Sequence, residues 1–220
     1  LAWMGAAISE RRAGDLDAAL DAAVHALDVM GPPMAEDVQM CAAFLQDLDD
    51  LRKDLRVAQR RDDVVRAAGL MSDLATRLAE RDEAAYAGVL GFALVNEAAA
   101  RANAGDLGTA APVNEEAIRL LQEHAPTSTA LTTALSNRAA WQRRSGQWEE
   151  AVATEHLALA GVRTALPATR AEVERLNSLF LTLVRSGRRD EAEQTISEAV
   201  ELSRRLVEDD PGQTSMLATL

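Results

Sequence analysis

Asn96, Asn103, Asn137 and Asn177, with Ser136 and Ser178 beside two of them, are the side chains best suited to holding another polypeptide. An asparagine amide both donates and accepts, so several in series can satisfy the backbone of an extended segment without reading its side chains. A second set is basic: Arg11, Arg12, Arg60, Arg61, Arg143, Arg144 and Arg185. A guanidinium grips a carboxylate through two parallel hydrogen bonds. The same arginines also suit solvated helix ends, where positive charge opposes the helix dipole.

Other chemistry finds little support. No phosphate-cradling glycine loop, dinucleotide fingerprint, nucleophile elbow or nucleophile–base spacing occurs, so no catalytic residue is assigned and a non-enzyme is expected. His25, His124 and His156 are far apart and outside any ligand spacing. Asp47, Asp49, Asp50 and Asp54 form an acidic run on a predicted helix, without the glycine turn of a calcium loop. Neither a metal nor a cofactor is expected. Cys41, the only cysteine, adjoins Met40 on an apolar face and reads as core; with no intrachain disulfide, the chain suits a reducing cytoplasm.

The formal charge of −12 disfavours nucleic acid and anionic membranes as partners. A basic peptide or basic protein face suits the net charge, while the arginines keep an acidic peptide open. No 18-residue apolar run or signal peptide is present. Nearly half the residues are apolar but only 3% are aromatic; alanine and leucine dominate, which favours close-packed helices over sheets. Lys53 is the single lysine among 23 basic residues, a bias expected of a GC-rich bacterial genome.

A recurring phrase shows what must position the polar residues. Gly105-Asp106-Leu107-Gly108-Thr109-Ala110, Gly146-Gln147-Trp148-Glu149-Glu150-Ala151 and Gly187-Arg188-Arg189-Asp190-Glu191-Ala192 begin 41 residues apart, and Gly14-Asp15-Leu16-Asp17-Ala18-Ala19 is a fourth copy. A second alanine follows seven residues on, at Ala26, Ala117, Ala158 and Ala199. A fixed period of this size marks a repeat architecture. Each phrase separates two stretches with apolar residues at helical spacing. The glycine permits the left-handed cap that ends one helix, and the alanines are small because the first helix lies against them. The unit is an antiparallel helical hairpin.

Helices are predicted near 2–13, 16–30, 35–60, 64–81, 83–103, 108–125, 128–145, 148–164, 169–186 and 189–208. Thr169-Arg170-Ala171-Glu172 has the spacing of a capping box. The array divides into repeats near 1–33, 34–82, 83–126, 127–167 and 168–211. The repeat at 34–82 is degenerate: its best junction is Arg61-Asp62-Asp63, followed by Ala68 and Ala75, and without a glycine its turn is expected to be distorted or its helices nearly continuous. The extra residues are placed around Gly31-Pro32-Pro33-Met34, and 213–220 reads as the start of another helix. Both ends read as cuts through a longer array, whose uncapped faces are expected to self-associate.

The junction glycine, the alanine pair and the trailing Pro126 and Pro167 resemble the tetratricopeptide repeat (TPR), with Trp3 where that family often has a first-helix tryptophan. The long period is nearer to kinesin light chains and to the arrays of bacterial multidomain regulators. The position where the family often has tyrosine holds Glu10, Arg101, Gln142 and Leu183 here. The resemblance implies an all-α, right-handed α-solenoid whose first helices line a concave groove. It also implies that Asn96, Asn103, Asn137 and Asn177 face that groove, with Arg143, Arg144 and Arg185 near its end. The expected function is a protein- or peptide-binding scaffold. The alternative is a ligand- or peptide-sensing module of a larger bacterial signalling or transcriptional regulator, which the domains flanking this segment would decide.

Overall fold

A computed structural model describes residues 2–29 and 38–209. The Gly31-Pro32-Pro33-Met34 segment and the helix expected at 213–220 lie outside them. The described residues form ten helices and no strand. These are α1 (Ala2–Ala13), α2 (Leu16–Val29), α3 (Val38–Val57), α4 (Arg61–Arg81), α5 (Glu83–Asn103), α6 (Leu107–His124), α7 (Thr129–Arg144), α8 (Trp148–Ala165), α9 (Arg170–Ser186) and α10 (Arg189–Asp209). Two compact units divide at Leu120–Leu121, within α6.

Hairpins are joined by one recurring turn. Gly14, Gly105, Gly146 and Gly187 all have positive φ, between 76° and 97°. In each, the turn residue donates to the carbonyl three residues back and the next residue to the carbonyl five back. Gly146 N reaches Arg143 O at 3.1 Å, and Gln147 N reaches Gln142 O at 2.9 Å. This is the Schellman ending, which satisfies two carbonyls that a helix terminus would otherwise leave open. Side chains then start several following helices: Asp15 accepts from Ala18 N, and Asp106 accepts from the N–H and hydroxyl of Thr109. Those bonds hold the Asp106 carboxyl below its ordinary pKa.

The degenerate repeat has the same turn, placed elsewhere. Gln59 stands at φ 59°, donating to Arg56 O at 3.0 Å, while Arg60 N donates to Leu55 O at 3.0 Å. The expectation of near-continuous helices with a junction at Arg61-Asp62-Asp63 is therefore corrected. The hydrogen-bond pattern of the turn outweighs the cost of a left-handed non-glycine residue, and α4 already begins at Arg61.

Counting from the turn residue, the fifth and twelfth positions are Ala19 and Ala26, Ala110 and Ala117, Ala151 and Ala158, and Ala192 and Ala199, all buried. In the degenerate repeat these positions are Val64 and Met71, also buried. Ala68 and Ala75 are buried too, but four residues further along, so they are not the equivalents of the other alanine pairs. In unit 1, α1 packs on α2, α3 on α4 and α4 on α5, around Leu20, Leu27, Phe44, Leu48, Leu55, Met71 and Leu78. In unit 2, α7 packs on α8, α8 on α9 and α9 on α10, around Val152, Leu159, Val173, Leu176, Leu179, Leu183 and Leu202.

The capping box at Thr169 is only half formed. Thr169 is the N-cap of α9, but its hydroxyl donates to Leu166 O, and Glu172 accepts from Ala168 N rather than from Thr169 N. Glu172 also takes a hydrogen bond from Arg163 at 2.8 Å, which draws its carboxylate toward α8.

Gln59→Gly is expected to stabilise the chain by about 0.5–1 kcal/mol, the relief of left-handed strain exceeding the added unfolded-state entropy. Ala151→Leu is expected to cost about 1–3 kcal/mol by overpacking the α7–α8 contact. Denaturant titration of both variants checks the pair. An unchanged midpoint for Ala151→Leu contradicts the register of the hairpins.

Candidate functional site

The turn register fixes where polar residues of one first helix meet the next hairpin. Three residues before Gly14 stands Arg11, and three before Gly146 stands Arg143. Arg11 reaches α3, where its guanidinium lies 3.1 Å from Asp54 and 3.7 Å from Asp50. These are the fifth and ninth residues before the Gln59 turn. Arg143 reaches α9 at the corresponding places, donating to Ser178 at 3.2 Å and Thr182 at 3.3 Å. Its carboxylate partner comes instead from α8: Glu155, fully buried, pairs with Arg143 and accepts from the Ser178 hydroxyl at 2.6 Å. In both hairpins an arginine near the turn is neutralised by a carboxylate and ties its first helix to the following one.

Arg143 was expected to offer its guanidinium to a partner. The structure commits it to Glu155, whose burial would leave an uncompensated charge if the arginine turned away. Asn137 is half-buried, and its Nδ2 is shut off from solvent, so it does not present that donor. Ser178, not Asn177, is the ninth residue before Gly187, the place of Asn137 before Gly146. Asn177 is half-buried one position away. Arg144 is exposed, and Arg185 is exposed with its guanidinium 5.3 Å from the centre of the Trp148 ring. Arg60 is held by Asp17 and Asp63.

Asn96 and Asn103 do come together, in unit 1. With Arg52, Arg56, Arg61 and Ala100 they line a cleft of about 480 Å³, bounded by the C-terminal half of α3, the start of α4 and α5. Asn96 Nδ2 donates to Phe92 O at 3.1 Å, which leaves the second amide hydrogen for a ligand. Arg52 is engaged by Asp49. Burial pushes the Asp49 carboxyl up, but hydrogen bonds from Lys53 and Arg52 outweigh that and hold its pKa below the ordinary value. Arg56 and Arg61 are exposed, and among the described residues neither forms an ion pair. Phe92, 44% exposed, lies one helical turn before Asn96.

Reading the chain alone did not single out Arg52, Arg56 and Phe92. Arg56 stands three residues before the turn, as Arg11 and Arg143 do, but that signal is visible only once Gln59 is known to be the turn residue. No group of three or more His, Cys, Asp or Glu side chains able to hold a metal occurs among the described residues. No described helix is long and apolar enough to cross a membrane.

The hairpin geometry defines the class: the fold is of the TPR type, an all-α arrangement shared with helical solenoids. Similar solved structures include BtubC (BKLC) from P. vanneervenii, 17% identical with a TM-score of 0.63 over 93% of this chain and 78% of that one. MamA protein is 17% identical with a TM-score of 0.58, over 94% of this chain and 93% of that one. A Podosopora anserina protein with nearly identical TPR-like repeats of the kinesin light chain kind is 13% identical, TM-score 0.61, over 94% of this chain and 95% of that one. No family model matches the chain, and no curated protein matches it in sequence.

Removing either partner of the Arg143–Glu155 pair is expected to destabilise unit 2 by about 3 kcal/mol, the scale for a buried charge left unpaired. Arg143→Gln and Glu155→Leu, measured singly and together by denaturant unfolding, check this. The double variant should recover part of the loss. Strictly additive costs contradict a direct pair.

Proposed function

We propose that this chain is a protein-binding scaffold that holds an extended polypeptide segment against its first helices. The fold supports this reading, since TPR-like arrays are generally protein-interaction scaffolds and generally not enzymes. The observation that carries it is the α3–α4–α5 cleft. It gathers two asparagine amides and unpaired arginines at an accessible surface, where a partner backbone finds donors and acceptors. Asn96 and Asn103 are the principal contacts. Arg144, Arg185 and Asn177 are further contacts on unit 2, while Arg143 acts by holding α7, α8 and α9 in place. Asn137 contributes through its carbonyl oxygen or by positioning α7.

Selection from a random peptide display library against the purified chain tests the reading. Peptides so obtained are expected to lose about tenfold or more in affinity on Asn96→Ala or Asn103→Ala, about 1.4 kcal/mol or more for each lost partner bond. The melting temperature should stay unchanged, because Asn103 is exposed and Asn96 bonds only its own helix. Failure to select any peptide, or selected peptides indifferent to both substitutions, contradicts it.

A further inference from the structure

The three hairpin ends that carry an arginine three residues before the turn are not chemically equivalent. Beside Arg11, the next first helix supplies Asp54 and Asp50, five and nine residues before its own turn. Beside Arg143, those two places are Thr182 and Ser178, and the carboxylate is Glu155, nine residues after the turn on the second helix. Beside Arg56, the same three places are Ala100, Asn96 and Ala68. None can be a carboxylate. Asn96 and Ala100 line the cleft with Arg56, as the register requires, and Arg61 at the start of α4 adds a second unpaired guanidinium.

The surrounding acids do not fill this role. Asp49 is bound by Arg52 and Lys53, and Asp63 by Arg60 and Arg66. Glu97 is bound by Arg101 at 2.6 Å. In a chain of formal charge −12, the cleft is a place where positive charge gathers without an internal counter-charge. A guanidinium so placed is complementary to a carboxylate, and Asn96, nearly the shape of aspartate, donates where aspartate would accept.

We propose that this cleft receives the carboxylate of an aspartate or glutamate side chain in a partner protein's extended segment, in the place beside Arg56 that Asp50 and Asp54 hold beside Arg11. This rests on the scaffold reading and names the chemistry of its partner. The apolar side chain that accompanies the acid is set by Phe92. Four residues of α5 separate Phe92 from Asn96, about 6 Å along the axis. An extended segment covers that distance in about two residues, and residues two apart point to the same side. A segment lying along α5 therefore presents an acidic residue to the cleft and, two positions away, an apolar residue to Phe92.

Fluorescence anisotropy with the whole chain tests this. The probes are a labelled Gly/Ser dodecapeptide with a central Glu-Ser-Leu and its Gln-Ser-Leu counterpart, with inorganic phosphate as competitor. The Glu peptide is expected to bind at least tenfold more tightly than the Gln peptide, and the preference should shrink as salt rises. Arg56→Gln and Arg61→Gln should each remove most of the preference at an unchanged melting temperature. Asn96→Asp, which restores within the chain the carboxylate of the Arg11 hairpin, should abolish the preference while raising the melting temperature by about 1–3 °C. Equal binding of the two peptides overturns the proposal, as does a preference that survives Arg56→Gln. So does phosphate that displaces the Glu peptide at concentrations below the peptide's own dissociation constant, which marks a free-phosphate site. If library-selected peptides depend on Asn96 and Asn103 but show no acid requirement, only this proposal fails. If no peptide binds, the scaffold reading fails with it.

Discussion

Five times the described chain reverses direction on a single residue of positive φ, and the rest of the structure depends on that turn. It closes two carbonyls of the preceding helix, so the first helix ends at a defined residue and the second begins within two or three more. Every position then follows by counting. Alanine is needed five and twelve residues on because the two helices touch there. An arginine three residues before the turn meets the following first helix near its fifth and ninth residues before the next turn. The hairpin is thus a device for placing side chains, and the polar chemistry of each repeat depends on which residues stand at those counts.

The same device explains how the molecule spends its charged groups. Arg11 with Asp50 and Asp54, and Arg143 with Glu155, Ser178 and Thr182, are alternative ways to neutralise one cation at one place. The first keeps the pair partly exposed between first helices. The second buries the carboxylate in the second helix and adds hydroxyl donors, as a buried charge requires. Arg56 sits at the equivalent place with alanine and asparagine around it, so its hairpin gives up this tie and keeps a charged cleft open to solvent. Packing and recognition are here two uses of one repeat position.

Much of this was legible from residue order, and the failures have definite causes. The glycine–alanine phrase located four of the five turns and nearly every helix boundary, because glycine and alanine are required there by backbone conformation and close contact. Gln59 carried neither mark: its turn is held by main-chain hydrogen bonds, which any non-proline residue can make. Misplacing that turn by two residues hid Arg56, while Asn96 and Asn103, counted from Gly105, were found. The Arg143–Glu155 pair escaped because it depends on which face of α8 turns toward α7, and alternation of apolar residues does not fix that for a buried glutamate. Asn177 was set in the row of Asn137 by residue type, where the turn count selects Ser178.

The central claim is that three arginines share one repeat position and that only Arg56 lacks an internal carboxylate. Side-chain NMR of the guanidinium protons measures this directly, through hydrogen exchange at Arg11, Arg56 and Arg143 in the unliganded chain. The account predicts slow exchange at Arg143, intermediate exchange at Arg11 and solvent-limited exchange at Arg56. Protection of Arg56 equal to that of Arg143 would contradict it.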